Sequence, residues 1–105
     1  MKLISKRKGK VVGFVTWKNI GKPKHKLIEL TRIEVNKKYQ NLGIATDLFK
    51  GMLKRIKFRK LFLTTHKSNI VAHRFYEKIG MAYETTLKDH YYNGEDELVY
   101  SMFRK

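Results

Sequence analysis

The hydrophobic period of this chain changes at a glycine. Upstream, Lys26 to Val35 is rich in β-branched and aliphatic residues (Leu27, Ile28, Leu30, Thr31, Ile33, Val35), which predicts a strand. Its poor alternation suggests cover on both faces. Downstream of Gly43, the residues Ile44, Leu48, Phe49, Met52, Leu53 and Ile56 recur at helical spacing, and Lys50, Lys54, Arg55 and Lys57 stay largely off that stripe. A strand, a loop and a helix in that order call for helices packed on a sheet.

The remaining segments extend the same architecture. Leu3-Ile4-Ser5 and Val11 to Trp17 flank the turn-like Arg7-Lys8-Gly9-Lys10 and predict a hairpin. Gly21-Lys22-Pro23-Lys24 is a loop. Leu61 to Thr65 is a short buried strand, and Ser68 or Asn69 can cap a second helix with Val71, Ala72, Phe75, Tyr76 and Ile79 as its apolar positions and Gly80 past its end. Met81 to Thr86 and Glu97 to Phe103 are the last strands, separated by the polar, aromatic segment Asp89 to Asp96. The order ββ-β-α-β-α-ββ predicts an α/β (α+β) fold: a mixed central sheet of about six strands flanked by two helices, as a single domain over residues 1–105.

Composition narrows the chemistry. With 42% hydrophobic residues the chain is not a disordered polymer. It has no cysteine, which excludes a cysteine nucleophile, a thiolate metal site and a disulfide framework. Any acyl transfer therefore passes directly from donor to acceptor or uses an oxygen nucleophile. His25, His66, His73 and His90 lack metal-ligand spacing, and no metal site is expected. No run approaches the roughly 18 apolar residues of a membrane span, and the charged start Met1-Lys2-Leu3-Ile4-Ser5-Lys6 is unlike a secretory signal. A cytoplasmic location without a membrane partner is the expectation. The net charge of +15, from 24 Lys and Arg against nine acids, suits a polyanion: nucleic acid, acidic membrane or a multiply phosphorylated cofactor. It equally suits a surface whose lysines serve solubility.

The junction at Gln40-Asn41-Leu42-Gly43-Ile44-Ala45 is where an anion would bind. The first turn of a helix leaves its N–H groups unpaired, and the helix dipole favours negative charge there. Gly43 has no Cβ to hinder a phosphate, and Ala45 is small. Gln40 and Thr46 offer side-chain donors, and Lys37 and Lys38 add charge nearby. Taken alone, the pattern also fits an ordinary strand–helix connection. It is neither a P-loop nor a dinucleotide fingerprint, since no Gly-Lys-Ser/Thr follows and only one glycine is present.

A second segment gives the first its meaning. Asn69 and Tyr76 are two helical turns apart, roughly 10 Å along one helix face. With Gly80 and Met81, the stretch Asn69-Ile70-Val71-Ala72-His73-Arg74-Phe75-Tyr76-Glu77-Lys78-Ile79-Gly80-Met81 resembles the second signature of the GCN5-related N-acetyltransferase (GNAT) superfamily. Val35 to Ala45 resembles the same superfamily's acetyl-coenzyme A motif, Gln/Arg-x-x-Gly-x-Gly/Ala. The nearest flavour is that of N-terminal protein acetyltransferases of the ribosomal-protein alanine type.

That resemblance implies the acyl-CoA N-acyltransferase fold and acetyl-CoA as co-substrate. It implies that main-chain groups around Val35 hold the pantetheine arm, that the loop of Gln40, Asn41, Leu42, Gly43, Ile44, Ala45 and Thr46 binds the pyrophosphate, and that Asn69 reaches the pantetheine or acetyl region. Tyr76 would face the thioester sulfur and protonate the departing thiolate. Glu29 matches a position where several relatives carry a catalytic glutamate. On a regular strand it would share a face with Leu27, Ile33 and Val35, whereas the bulge frequent in the family would shift that parity. It is the candidate base, with a structural carboxylate as the other reading, and Glu34 and His66 are weaker candidates.

Where ribosomal-protein acetyltransferases carry a glutamate base before the asparagine, this chain has Thr64. His90-Tyr91-Tyr92-Asn93-Gly94-Glu95-Asp96 resembles the Tyr-Tyr…Glu-Asp segment of N-terminal acetyltransferases, in which the tyrosines line the peptide groove; Tyr91 and Tyr92 are thus the candidate acceptor residues. Glu95 or Asp96 could draw a cationic amine or belong to a solvated turn. Many relatives begin with an additional strand and helices that wall the acceptor cleft, and this sequence opens directly at the hairpin. An open acceptor site, completion by a second subunit as a homodimer, and a remnant are the alternatives.

The expected activity is acetyl transfer to a primary amine, a peptide N-terminus ahead of a small molecule or lysine. A basic nucleic-acid-binding module, with Lys6, Arg7, Lys8, Lys10, Lys18, Lys22, Lys24 and Lys26 as a phosphate-tracking stripe, is the less favoured alternative because it leaves the Asn69–Tyr76 pairing unexplained. A non-catalytic CoA-binding domain is a third.

Overall fold

Lys8 and Gly9 both take positive φ, 50° and 78°, the backbone of a tight two-residue hairpin turn. They join β1 (Lys2–Arg7) to β2 (Lys10–Asn19), and β3 (Leu27–Val35) pairs antiparallel on the other side of β2. A computed structural model describes residues 1–88 and 94–104, and its contacts divide the chain into two units, Met1–Arg59 and Lys60–Lys105.

In the first unit, the register Leu3↔Val15↔Ile33 and Gly13↔Val35 puts these residues on one sheet face. The helix α1 (Ile44–Arg55) packs on all three strands. Its buried residues Ile44, Leu48, Phe49 and Met52 are those of the predicted stripe, and Ile56 beyond its end is buried too. Burial of each such side chain is worth about 1.5–3 kcal/mol, which secures the helix against the sheet. Lys54 and Arg55 in the last turn face the negative end of the dipole.

The strand β3 departs from the expectation of cover on both faces. Thr16 pairs with Arg32 but Trp17 pairs with Leu30, so Thr31 is an extra residue in a bulge, its hydroxyl 2.7 Å from that of Thr16. Ile28 and Leu30 are buried before the bulge, and Arg32 and Glu34 are exposed after it. A bulge of one residue flips the parity, which is why the strand alternates poorly in sequence although only one face is apolar.

The second unit contains β4 (Lys60–His66), the helix α2 (Ile70–Lys78), β5 (Ala82–Leu87) and β6 (Glu97–Phe103). The strand β6 lies between β4 and β5, antiparallel to both. A bulge leaves Glu84 between Tyr83↔Tyr100 and Thr85↔Val99, and its carboxylate meets Lys60 at 2.7 Å. The hydrogen bond from Lys60, with one from Ser101, holds that carboxyl below its usual range.

Helix α2 also corrects its predicted face. Val71, assigned to the apolar stripe, is 81% exposed, and the buried residue is His73. A hydrogen bond explains the exchange: His73 Nε2 donates to the His66 carbonyl at 2.9 Å, and two residues along a helix carries Val71 roughly to the opposite side.

Gly13 lies where both β3 and α1 come close to β2. An added Cβ would lie 2.9 Å from the Glu34 carbonyl oxygen and 3.3 Å from Leu48 Cδ1. Gly13→Ala is therefore expected to destabilise the protein by about 1–3 kcal/mol, read from urea unfolding midpoints, with no gain from its higher strand propensity.

Candidate active site

At the end of β3 the chain is turned by side chain and main chain together. Asn36 N donates to the Val12 carbonyl at 2.7 Å, and Asn36 Oδ1 accepts from Lys38 N at 3.0 Å, setting a single 3₁₀ turn over Lys37–Tyr39. Gln40 Nε2 then donates to the Val35 carbonyl at 3.1 Å. Asn41 takes φ 67° and Gly43 φ 78°, two left-handed residues that bend the loop into the first turn of α1. Gly43 is the N-cap, and no side chain caps the helix.

This geometry fits an anion. Gln40, Asn41, Leu42 and Gly43 are exposed, whereas Ile44, the first residue of the helix, is buried. A Cβ on Gly43 would meet nothing within 4 Å, so the space in front of the helix end is open. The first-turn N–H groups of Ile44, Ala45 and Thr46 lie there at the positive end of the dipole, and Lys37 and Lys38 are exposed nearby. Gln40, expected as a direct phosphate donor, spends its amide on Val35; the structure gives it a loop-shaping bond.

Glu29 lies before the bulge and is opposite Lys18, with its carboxylate 3.7 Å from Lys18 Nζ and its side chain 24% exposed. The extra residue Thr31 separates it from the face of Ile33 and Val35. The shared apolar face of a regular strand is therefore not formed, and Glu29 stands on the partly solvated side with Phe14, Arg32 and Glu34.

The second unit presents Asn69 and Tyr76 from one helix. Asn69 is the N-cap of α2, its Oδ1 accepting from Ala72 N at 3.2 Å. Tyr76 is half-buried, edge-on to Phe75 with ring centroids 5.5 Å apart and tilted to Tyr100 at 6.1 Å. Burial raises the Tyr76 hydroxyl above its ordinary value of 10.0, so the phenol keeps its proton.

Two features went unread in the sequence. Tyr100, central on β6 and buried, gathers the rings of His73, Tyr76 and Tyr83 within 5.7–6.2 Å and donates to Glu77 Oε1 at 3.2 Å. Desolvation, then the Glu77 charge, raises its hydroxyl. The second is a clasp. Glu95 accepts from Ser68 N at 3.1 Å and from the Ser68 hydroxyl, and its other oxygen meets His66 Nδ1 at 2.9 Å. Lys67 N donates to the Asp96 carbonyl at 3.1 Å, and Lys67 Nζ pairs with the Asp96 carboxylate at 3.8 Å. The loop that carries the α2 cap is thus held by Glu95 and Asp96, residues expected to meet solvent or an amine. Alternating apolar positions could have revealed Tyr100, but no local pattern announces a clasp across 27 residues. The candidate acceptor residues Tyr91 and Tyr92 lie outside the described residues.

The profile of the Acetyltransferase (GNAT) family matches residues 2–81. The chain belongs to the GNAT acetyltransferase family. As a member it is an acetyl-CoA-dependent acetyltransferase, with acetyl-CoA as co-substrate. No curated protein matches the chain. Among solved structures it is similar to a GNAT acetyltransferase from Elizabethkingia anophelis with acetyl-CoA bound (TM-score 0.85, 22% identity, 98% of this chain and 75% of that one). It is also similar to the ribosomal-protein-S18-alanine N-acetyltransferase from Escherichia coli (0.84, 21%, 98% and 68%). A third is Arabidopsis thaliana Naa50 in complex with the bisubstrate analogue CoA-Ac-MVNAL (0.84, 20%, 98% and 72%). These likenesses establish the expected fold class, a mixed six-stranded sheet with two helices.

The clasp sets a pH signature. The Ser68 hydroxyl and N–H, followed by His66, hold the Glu95 carboxyl below its usual range. A depressed carboxyl stabilises the fold above its unfolded pKa, and that contribution is lost as pH falls through the lower folded value. Glu95→Gln is expected to lower Tm near neutral pH, with the gap to the parent closing in acid. An equal gap at every pH would contradict the clasp.

Proposed function

We propose that the GNAT enzyme transfers acetyl from acetyl-CoA directly to the primary amine of a peptide or protein N-terminus, acting as a single domain in the cytoplasm. The observation that carries the cofactor assignment is the open, uncapped start of α1 at Gly43. The main-chain amides of Leu42, Gly43, Ile44, Ala45 and Thr46 hold the diphosphate, and Gln40 and Asn41 shape the turn. Val35 offers main chain to the pantetheine arm, and Asn69 holds its far end.

In the reaction the amine nitrogen attacks the thioester carbonyl carbon and the C–S bond breaks. The thiolate takes the Tyr76 hydroxyl proton, and the amine proton leaves to Glu29, directly or through water. A raised phenol suits this role because burial helps it keep its proton at a pH where a peptide N-terminal amine is already losing its own. The peptide acceptor is supported by likeness to an enzyme named for an alanine of ribosomal protein S18 and to one in complex with the bisubstrate analogue CoA-Ac-MVNAL. Tyr91 and Tyr92 are proposed to line the acceptor path, and a second copy of the chain could complete it.

Calorimetry with acetyl-CoA and thiol release on adding peptides, polyamines or lysine test this directly. Peptides should be preferred; turnover with small amines alone would move the assignment to small-molecule acetylation. Tyr76→Phe is expected to reduce thiol release by on the order of 10²-fold or more while acetyl-CoA affinity changes little. Gly43→Val should weaken acetyl-CoA binding at least about tenfold and cost roughly 1–3 kcal/mol of stability, because a β-branched residue is strained at its φ. A pH–rate profile of Glu29→Gln that overlays the parent would remove Glu29 as base.

A further inference from the structure

The positive charge of this protein is not spread evenly. Of 24 Lys and Arg, 17 lie in Met1–Arg59 with only three acids, Glu29, Glu34 and Asp47, a surplus of 14. Lys60–Lys105 has the other seven against six acids, a surplus of one. Glu29 and Glu34 are engaged by Lys18 and Arg32, so little negative charge remains to offset the first unit. A coenzyme with a diphosphate and one further phosphate calls for a few cations. The surplus is larger than the co-substrate requires.

One end of the three-stranded sheet gathers it. The tight turn at Lys8-Gly9 puts Lys6, Arg7, Lys8 and Lys10 within five consecutive residues, all exposed and none ion-paired among the described residues. The β2–β3 register and the bond from Asn36 N to the Val12 carbonyl place the loop bearing exposed Lys37 and Lys38 at that same end. Six cations thus converge at the sheet end from which the diphosphate loop departs. The tip from Lys6 to Lys10 has no apolar side chain to enter a bilayer, and Ile44, Leu48, Phe49 and Met52 of α1 are consumed by the core. A row of exposed, unpaired cations on a projecting turn matches regularly spaced phosphates, which need no pocket.

We propose that this end of the first unit docks on the phosphate backbone of a nucleic acid, bringing the acetyltransferase to acceptors that are themselves bound to nucleic acid. The hairpin tip provides the principal contacts, and the field of the whole unit steers the encounter.

The test is fluorescence anisotropy of a short labelled RNA, single-stranded and duplex, titrated with the full chain over a range of salt. Two triple variants remove equal charge from opposite ends of the same sheet: Lys6→Gln/Lys8→Gln/Lys10→Gln at the tip, and Lys22→Gln/Lys24→Gln/Lys26→Gln at the β2–β3 loop. Acetyl-CoA binding by calorimetry verifies that both remain folded. The parent should bind with affinity falling linearly in log salt, and the tip variant should lower that slope by roughly 2–3 and weaken binding at least about tenfold at moderate salt. The loop variant should lose much less. Equal losses in the two variants, no RNA binding by the parent, or equally tight binding of polyglutamate or anionic vesicles would overturn the proposal.

Discussion

The start of α1 is the constraint around which the first unit is arranged. A helix that opens on a left-handed glycine, without a capping side chain and with open space before it, leaves its first amides for a ligand. Every neighbouring feature maintains that opening. Ile44 and Leu48 anchor the helix from below, Gly13 lets it approach the sheet, and Gln40 ties the loop back to the last residue of β3. A conventional Ser or Asp cap would stabilise the helix by about 1 kcal/mol but would occupy amides that the proposed diphosphate seat needs.

In the second unit the contacts converge on one phenol, Tyr76. Tyr76 projects from a helix of nine residues, too short to be stable alone, so its position depends on tertiary contacts. Asn69 caps the helix, His73 pins it to the end of β4, and Tyr100 packs against the Tyr76 ring from the central strand. Glu95 fixes the loop before the cap through Ser68 and His66. The acid role proposed for Tyr76 thus rests on a network whose members are far apart in sequence.

The elements themselves were largely legible from periodicity. The stripe from Ile44 to Ile56, the Lys8-Gly9 turn and the Asn69 cap are local patterns, and each forms as its residues dictate. Interactions set by the fold were not legible. The bulge at Thr31 reverses the face of Glu29, and strand parity cannot be read across an extra residue. Val71 looks like core by spacing yet faces outward, since a polar His73 with a carbonyl partner is buried in its place. Of the proposed site, the motif residues could be named from sequence, whereas the Glu95 clasp depends on a loop returning to β4.

We propose that the uncapped start of α1 and the basic surface around it make the first unit a receptor for phosphate chemistry, and that Tyr76 of α2 is the acid for acetyl transfer. The most direct measurement is the ¹H–¹⁵N spectrum of labelled protein titrated with coenzyme A. The amides of Gly43, Ile44, Ala45 and Thr46 are expected to move most, and inorganic pyrophosphate alone to shift the same set. Saturable coenzyme A binding with those four resonances unmoved would contradict it.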